Sequence, residues 1–158
     1  MNSWEYPIMI VAEEPDEGLL FERAFHRAGV KNPIQVFCNE KEAIDHLGAR
    51  RNSVGKPFAG SSPALMLLDL KTPRKTGFEV LEWVRRQPRL RRMVIVVMSD
   101  SLLREDINHA YDLGCNSYLS KPGNAEQLAE MVRVINNYWL ILNAKPELGD
   151  NPNPFRRI

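Results

Sequence analysis

The sequence is poor in features that would tie it to most chemistries. Neither sign of charge is in excess: 21 basic residues against 20 acidic ones leave a net charge of +1. No global field therefore draws the chain to nucleic acid. Cysteine is scarce, and Cys38 and Cys115 have neither metal nor redox spacing. Each lies near an apolar run, so both are expected as small buried hydrophobes. His26, His46 and His109 are scattered without a zinc pattern. No apolar run approaches the length of a membrane span, and Met1–Tyr6 lacks a basic-then-apolar signal pattern. These absences predict a cytoplasmic protein with no membrane partner. With 158 residues, 44% of them hydrophobic, the chain can build one domain with a substantial core, and it contains no internal repeat.

What is present is a series of short apolar runs, each ending in polar residues. The central run, Ala64-Leu65-Met66-Leu67-Leu68, ends in Asp69; a turn with Pro73 and Gly77 follows, and then a helix over about 78–86 stopped by Pro88. A continuous apolar run of this length predicts a strand buried on both faces of a parallel sheet. Pro7–Val11, Ile34–Phe37, Met93–Met98 and Ser117–Leu119 read as further strands. Between them lie helical segments. The first carries Leu19, Leu20, Phe21, Ala24, Phe25 and Ala28 on a broad apolar face and closes at Gly29. Asn39 suits the N-cap of a second helix, running to about Leu47. Leu103, Ile107, Ala110 and Tyr111 mark another, closed by Gly114, and Asn124 caps a last helix reaching Leu142. Residues 48–63 read as a surface loop, and the Pro/Asn/Gly-rich stretch from Pro146 reads as weakly ordered. Strands alternating with helices predict an α/β domain with a parallel sheet covered on both faces by right-handed crossovers. The expected division is an N-terminal extension over 1–6, one domain over 7–142 and a tail over 143–158.

In this arrangement Glu13, Asp69, Ser99 and Lys121 all fall just past the carboxyl ends of strands, the edge where open α/β sheets build sites. Asp69 alone could merely cap a turn. Together the residues suggest chemistry. An acid pair can hold a hard divalent cation through oxygen. A hydroxyl and an ammonium can bind the oxygens of an anion. A carboxylate between a metal and a lysine is a credible nucleophile toward phosphorus.

These residues carry a family resemblance. Leu67-Leu68-Asp69-Leu70 with Pro73 and Gly77, Val96-Val97-Met98-Ser99, and Tyr118-Leu119-Ser120-Lys121-Pro122 resemble the receiver domains of two-component response regulators over roughly residues 7–142. The long loop after the second helix, Tyr111-Asp112-Leu113 and Tyr138-Trp139-Leu140 are most similar to stand-alone receivers paired with phytochrome-type histidine kinases. The resemblance implies a flavodoxin-like (βα)5 fold with a five-stranded sheet of order 2-1-3-4-5. It implies that Asp69 accepts a phosphoryl group from a histidine kinase, with Ser99 and Lys121 contacting it and Tyr118 as the switch aromatic. Mg2+ would be held by Glu13, Asp69 and the backbone carbonyl of Lys71. Such a protein is a phosphoacceptor signalling protein, with at most slow autodephosphorylation. The first helix would dock the kinase through Phe21, Phe25 and their neighbours.

The sequence also departs from the family pattern. The gapless frame puts Ala12 and Glu13 where receivers usually carry two acids; shifting the frame by one residue gives Glu13 and Glu14 but displaces Pro15. Lys71 brings a cation close to the site, Asp100 stands where a small neutral residue is usual, and Arg74 and Lys75 add positive charge to the turn. A change of about 1–2 kcal/mol in this balance weakens metal binding about tenfold. Lys71 and Asp100 could equally point to solvent or pair with each other. The expectation is a phosphorylated Asp69 with weak metal affinity. The rival is a pseudo-receiver, a phosphorylation-independent protein-binding module. A flavodoxin-type cofactor binder is disfavoured because no glycine-rich phosphate loop follows the first strand.

Two surfaces remain. Arg85, Arg86, Arg89, Arg91 and Arg92 form a basic stretch, read as a solvated face, with no helix-turn-helix behind it. Tyr138, Trp139, Leu140, Ile141 and Leu142 exceed what one helix face can bury. They predict a homodimer through the fourth and last helices or by exchange of the C-terminal arms, with packing of the tail on its own domain as the alternative.

Overall fold

In a computed structural model, residues 6–48, 63–70, 76–146 and 148 are described. The elements run β1 (Ile8–Val11), α1 (Pro15–Arg27), β2 (Ile34–Phe37), α2 (Glu40–Gly48), β3 (Leu65–Asp69), α3 (Gly77–Arg86), β4 (Ile95–Ser99), α4 (Arg104–Asp112), β5 (Ser117–Ser120) and α5 (Ala125–Ile135). A π-helical segment, Asn136–Leu142, continues α5. All strand pairs are parallel and the order is β2-β1-β3-β4-β5. This is the flavodoxin-like order expected from the resemblance.

The three central strands are buried at every position, which is why they read as unbroken apolar runs rather than alternating ones. Their side chains still alternate between two faces. Met9, Met66, Leu68, Ile95 and Val97 pack with α2, α3 and Ala110 of α4; Ile8, Ile10, Leu65, Leu67, Val96 and Met98 pack with Phe21 and Phe25 of α1 and Val132 and Ile135 of α5. Local signals set the helix ends. Asn39 Oδ1 accepts from the Glu42 amide at 2.8 Å, and Asn124 Oδ1 from the Gln127 amide at 2.9 Å. Pro15 opens α1. Gly114 lies past the end of α4 at φ +100°.

Several expectations are corrected. Leu19 and Leu20 are 45% and 52% exposed, so the buried stripe of α1 is narrower than the sequence suggested. Phe21 and Phe25 lie inside the core and cannot be the docking residues. Leu103 and Tyr111 are exposed rather than packed on the sheet. Cys115 is buried, but Cys38 is only half-buried. The last helix reaches Leu142 by changing its winding at Asn136. Its end leaves Tyr138, Ile141 and Leu142 exposed, whereas Leu140 is buried. The loop expected over 48–63 and the tail lie largely outside the described residues.

The basic stretch does not form a uniform solvated face. Arg85 Nε donates to Gly114 O at 2.8 Å, its Nη1 to Met93 O at 2.7 Å and Arg91 O at 2.9 Å, and its Nη2 to Asn116 Oδ1 at 3.1 Å. Arg89 donates to Leu47 O. Both arginines are used in tying chain segments together.

Candidate functional site

The site is assembled by strand register. β1 and β3 pair through Val11 and Leu68, so Ala12 comes level with Asp69 and Glu13 lies one residue beyond. Asp69 pairs with Met98, and Ser99 with Ser120, which brings Lys121 to the same edge. The Leu70 amide donates to Met98 O at 3.1 Å, and the Lys121 amide to Ser99 O at 3.0 Å. These backbone bonds fix where the side chains begin.

Asp69 is 6% exposed and Ser99 is 1% exposed. Lys121 Nζ donates to Asp69 Oδ2 at 2.9 Å. The same ammonium lies 3.2 Å from Glu17 Oε1 and 4.0 Å from Asp100 Oδ2. Burial opposes the charge on Lys121, but its hydrogen bond to Asp69, the Asp69 charge and then Glu17 more than offset that, so its pKa is raised. Burial, followed by repulsion from Asp69, raises the pKa of Glu17 even though Lys121 pulls it down. One cation thus serves a buried carboxylate and a half-buried one. Glu13 is half-buried, Glu14 is exposed and Ala12 is buried. Lys71 lies outside the described residues.

Ser99 and Tyr118 are joined through a residue the sequence reading passed over. Ser99 Oγ accepts from the Ser101 amide at 3.0 Å, and Tyr118 OH donates to Ser101 O at 2.7 Å. Ser101 Oγ in turn donates to Asp106 Oδ2 on α4 at 2.6 Å. Glu17 was missed as well. Its one sequence signal is position: it stands a helical turn after Glu13 in the first turn of α1, whose start Pro15 marks.

The oxygen donors suit a hard divalent cation. Mg2+ needs only one or two carboxylates, completing its shell with water and substrate oxygens, and Asp69 and Glu13 flank one edge. Ala12 places a methyl group level with Asp69, and among the described residues no group of three or more His, Cys, Asp or Glu side chains is placed to hold a metal. A two-carboxylate site on Asp69 and Glu13 would meet that requirement.

Comparison with known proteins identifies the family. The response regulator receiver domain family matches residues 8–133. The chain belongs to that family. This receiver is 41% identical to the response regulator Rcp1 of Synechocystis over 133 residues, 84% of this chain and 88% of Rcp1. It is 35% identical to the probable methanogenesis regulatory protein FilR2 of Methanothrix harundinacea over 139 residues, 88% of this chain and 86% of FilR2. The crystal structure of the phosphorylated cyanobacterial phytochrome response regulator RcpA superposes with a TM-score of 0.76 at 30% identity, covering 90% of this receiver and 99% of RcpA. The Mn(2+)-bound form of Rcp1 gives 0.75 at 28% identity, over 89% of this receiver and 99% of that structure. Receivers of this family are signalling proteins of two-component systems.

Proposed function

We propose that Asp69 of this receiver accepts a phosphoryl group from a phosphohistidine of a partner histidine kinase. The observation that carries the reading is the buried Asp69 carboxylate held 2.9 Å from Lys121 Nζ. An Asp69 carboxylate oxygen attacks phosphorus as the P–N bond to the imidazole breaks; the phosphohistidine ring, protonated by water at its other nitrogen, leaves as neutral imidazole, and no proton is taken from Asp69. Lys121 and the Ser99 hydroxyl bind phosphoryl oxygens. Glu13, Asp69 and the Lys71 carbonyl would hold Mg2+, which would neutralise phosphoryl charge. Ser99, turning toward the phosphoryl group, gives up the Ser101 amide, and Tyr118 follows, shifting an existing equilibrium.

Names of the relatives extend the reading. RcpA is a phytochrome response regulator, which favours a phytochrome-type kinase here. The kinase docks on α1 beside the site, where Leu19 and Leu20 are exposed. Leu102, Leu103 and Tyr111 near α4, with Val134, Tyr138, Ile141 and Leu142 near the end of α5, are exposed apolar residues that support a homodimer. Sedimentation of the protein with and without phosphodonor reads that association.

Ala12 favours a second reading, a pseudo-receiver that binds partners without phosphorylation. One experiment separates the two: beryllofluoride or acetyl phosphate is titrated with and without Mg2+, read by intrinsic fluorescence and intact mass, with Asp69→Asn as control. A Mg2+-dependent adduct lost in Asp69→Asn supports the phosphoacceptor. A folded protein with no adduct at any metal concentration leaves the pseudo-receiver.

A further inference from the structure

We propose that Glu17 is a positioning residue of this site: it holds the Lys121 ammonium from the α1 side and competes for it with a phosphoryl group on Asp69. The proposal rests on the phosphoacceptor reading above. Lys121 Nζ lies 2.9 Å from Asp69 Oδ2, with Glu17 Oε1 at 3.2 Å and Oε2 at 3.3 Å. The ammonium has three N–H donors, and two carboxylates already draw on them. Lys121 is poorly exposed, with 17% of its side-chain surface accessible, and Glu17 with 24% is little more so. The pair is therefore less screened than one on the open surface.

The two carboxylates differ in how they are held. Asp69 is fixed at the end of β3, while Glu17 stands on the first turn of α1 and packs beside the sheet through Gly18. A side chain at Gly18 would bring its Cβ to 2.5 Å from Val36 Cγ1, so only glycine lets α1 lie this close to β2. Glu17 is the residue next to this close approach. Phosphorylation replaces the single charge of Asp69 with a group carrying about two. Lys121 is then wanted by the phosphoryl oxygens, and the fixed Glu17 charge retains it. Ala12 removes one acid from this edge, and Glu17 puts a carboxylate back at a different place, on the lysine rather than beside Asp69.

Glutamine at position 17 keeps an acceptor for Lys121 but removes the charge. Beryllofluoride affinity is measured at saturating Mg2+ in the parent, Glu17→Gln, Lys121→Met and the double variant, with Asp16→Asn as a control. Asp16 lies in the same helical turn and is exposed. The proposal expects Glu17→Gln to bind about three- to tenfold more tightly than the parent. It expects the gain to vanish in the Lys121→Met background and Asp16→Asn to change little. In the absence of phosphoryl analogue, acylation of Lys121 by an amine-reactive ester, read by peptide mass, should quicken in Glu17→Gln. Unchanged or weaker affinity in Glu17→Gln, a gain that persists without Lys121, or an equal gain in Asp16→Asn overturns the proposal while leaving the phosphoacceptor reading standing. A parent chain that forms no adduct overturns both.

Discussion

Gly77 and Asp69 are packed backbone to backbone. A Cβ on Gly77 would lie 2.7 Å from the Asp69 carbonyl oxygen and 3.0 Å from Leu70 Cα. The obstacle is main chain at the end of a central strand, which cannot move aside without moving the Asp69 carboxylate. Gly77→Ala is expected to cost about 1–3 kcal/mol and to slow adduct formation at Asp69. Urea unfolding checks the first and intact-mass kinetics with acetyl phosphate the second; a variant of parental stability would show that the α3 start can shift freely.

Lys121 neutralises more than one acid, so its removal should be felt beyond chemistry. Lys121→Met leaves Asp69, 4% exposed at its side chain, and Glu17 without their shared cation. The expected loss is about 1–3 kcal/mol at neutral pH. Asp69→Asn in the same background should recover part of it, because the remaining charge is then alone. Equilibrium denaturation of the single and double variants gives the coupling directly.

The Glu17 carboxyl has a folded-state pKa above its ordinary value, first because of burial and then because of Asp69. A raised carboxyl pKa means the folded protein binds the proton more tightly than the unfolded one. Its contribution to stability is present at low pH and is lost as pH rises from the ordinary carboxyl range through the folded value. Glu17→Gln should therefore unfold at a higher temperature than the parent at pH 7, and the difference should shrink as pH falls to 4. A gap that widens on acidification would contradict this sign.

Ser101 is hydrogen-bonded to Ser99 of β4, Tyr118 of β5 and Asp106 of α4. Tyr118→Phe removes the hydroxyl donor to Ser101 O and is expected to cost about 1 kcal/mol. Ser101→Ala removes one donor from Asp106, which is 4% exposed, and should cost more, about 1–3 kcal/mol. Both follow from chemical denaturation of the unphosphorylated protein.

Which features could be read from the sequence follows from the range of the forces involved. The buried strands, the caps at Asn39 and Asn124 and the closing Gly114 are set within a few residues, and their signals are local. The carboxyl-edge positions of Asp69, Ser99 and Lys121 follow from strand ends, so they too were legible. The sheet order came from the resemblance, not from pattern. Leu19 and Leu20 were misplaced because apolar character beside Phe21 does not say which positions of the helix face outward. The Glu17–Lys121 contact spans 104 positions. The spacing of one helical turn from Glu13 is the only local mark of Glu17, and it does not name a partner; only the packed position of α1 does. The Ser101 link was missed for the same reason, since its partners lie on β5 and α4.

Arg85 gives the opposite edge of the sheet a fixed fulcrum. Its guanidinium binds the segments that lead into β4 and β5, at Met93 and at Gly114 and Asn116, and Asn116 Oδ1 also accepts from the Ile95 amide at 2.7 Å. The two strands that carry Ser99 and Tyr118 are thereby pinned together at their roots and left to adjust only at their tips. Sliding of β4 along β5 would have to break these bonds, so a disturbance at Asp69 is expected to be taken up at the carboxyl edge of the sheet.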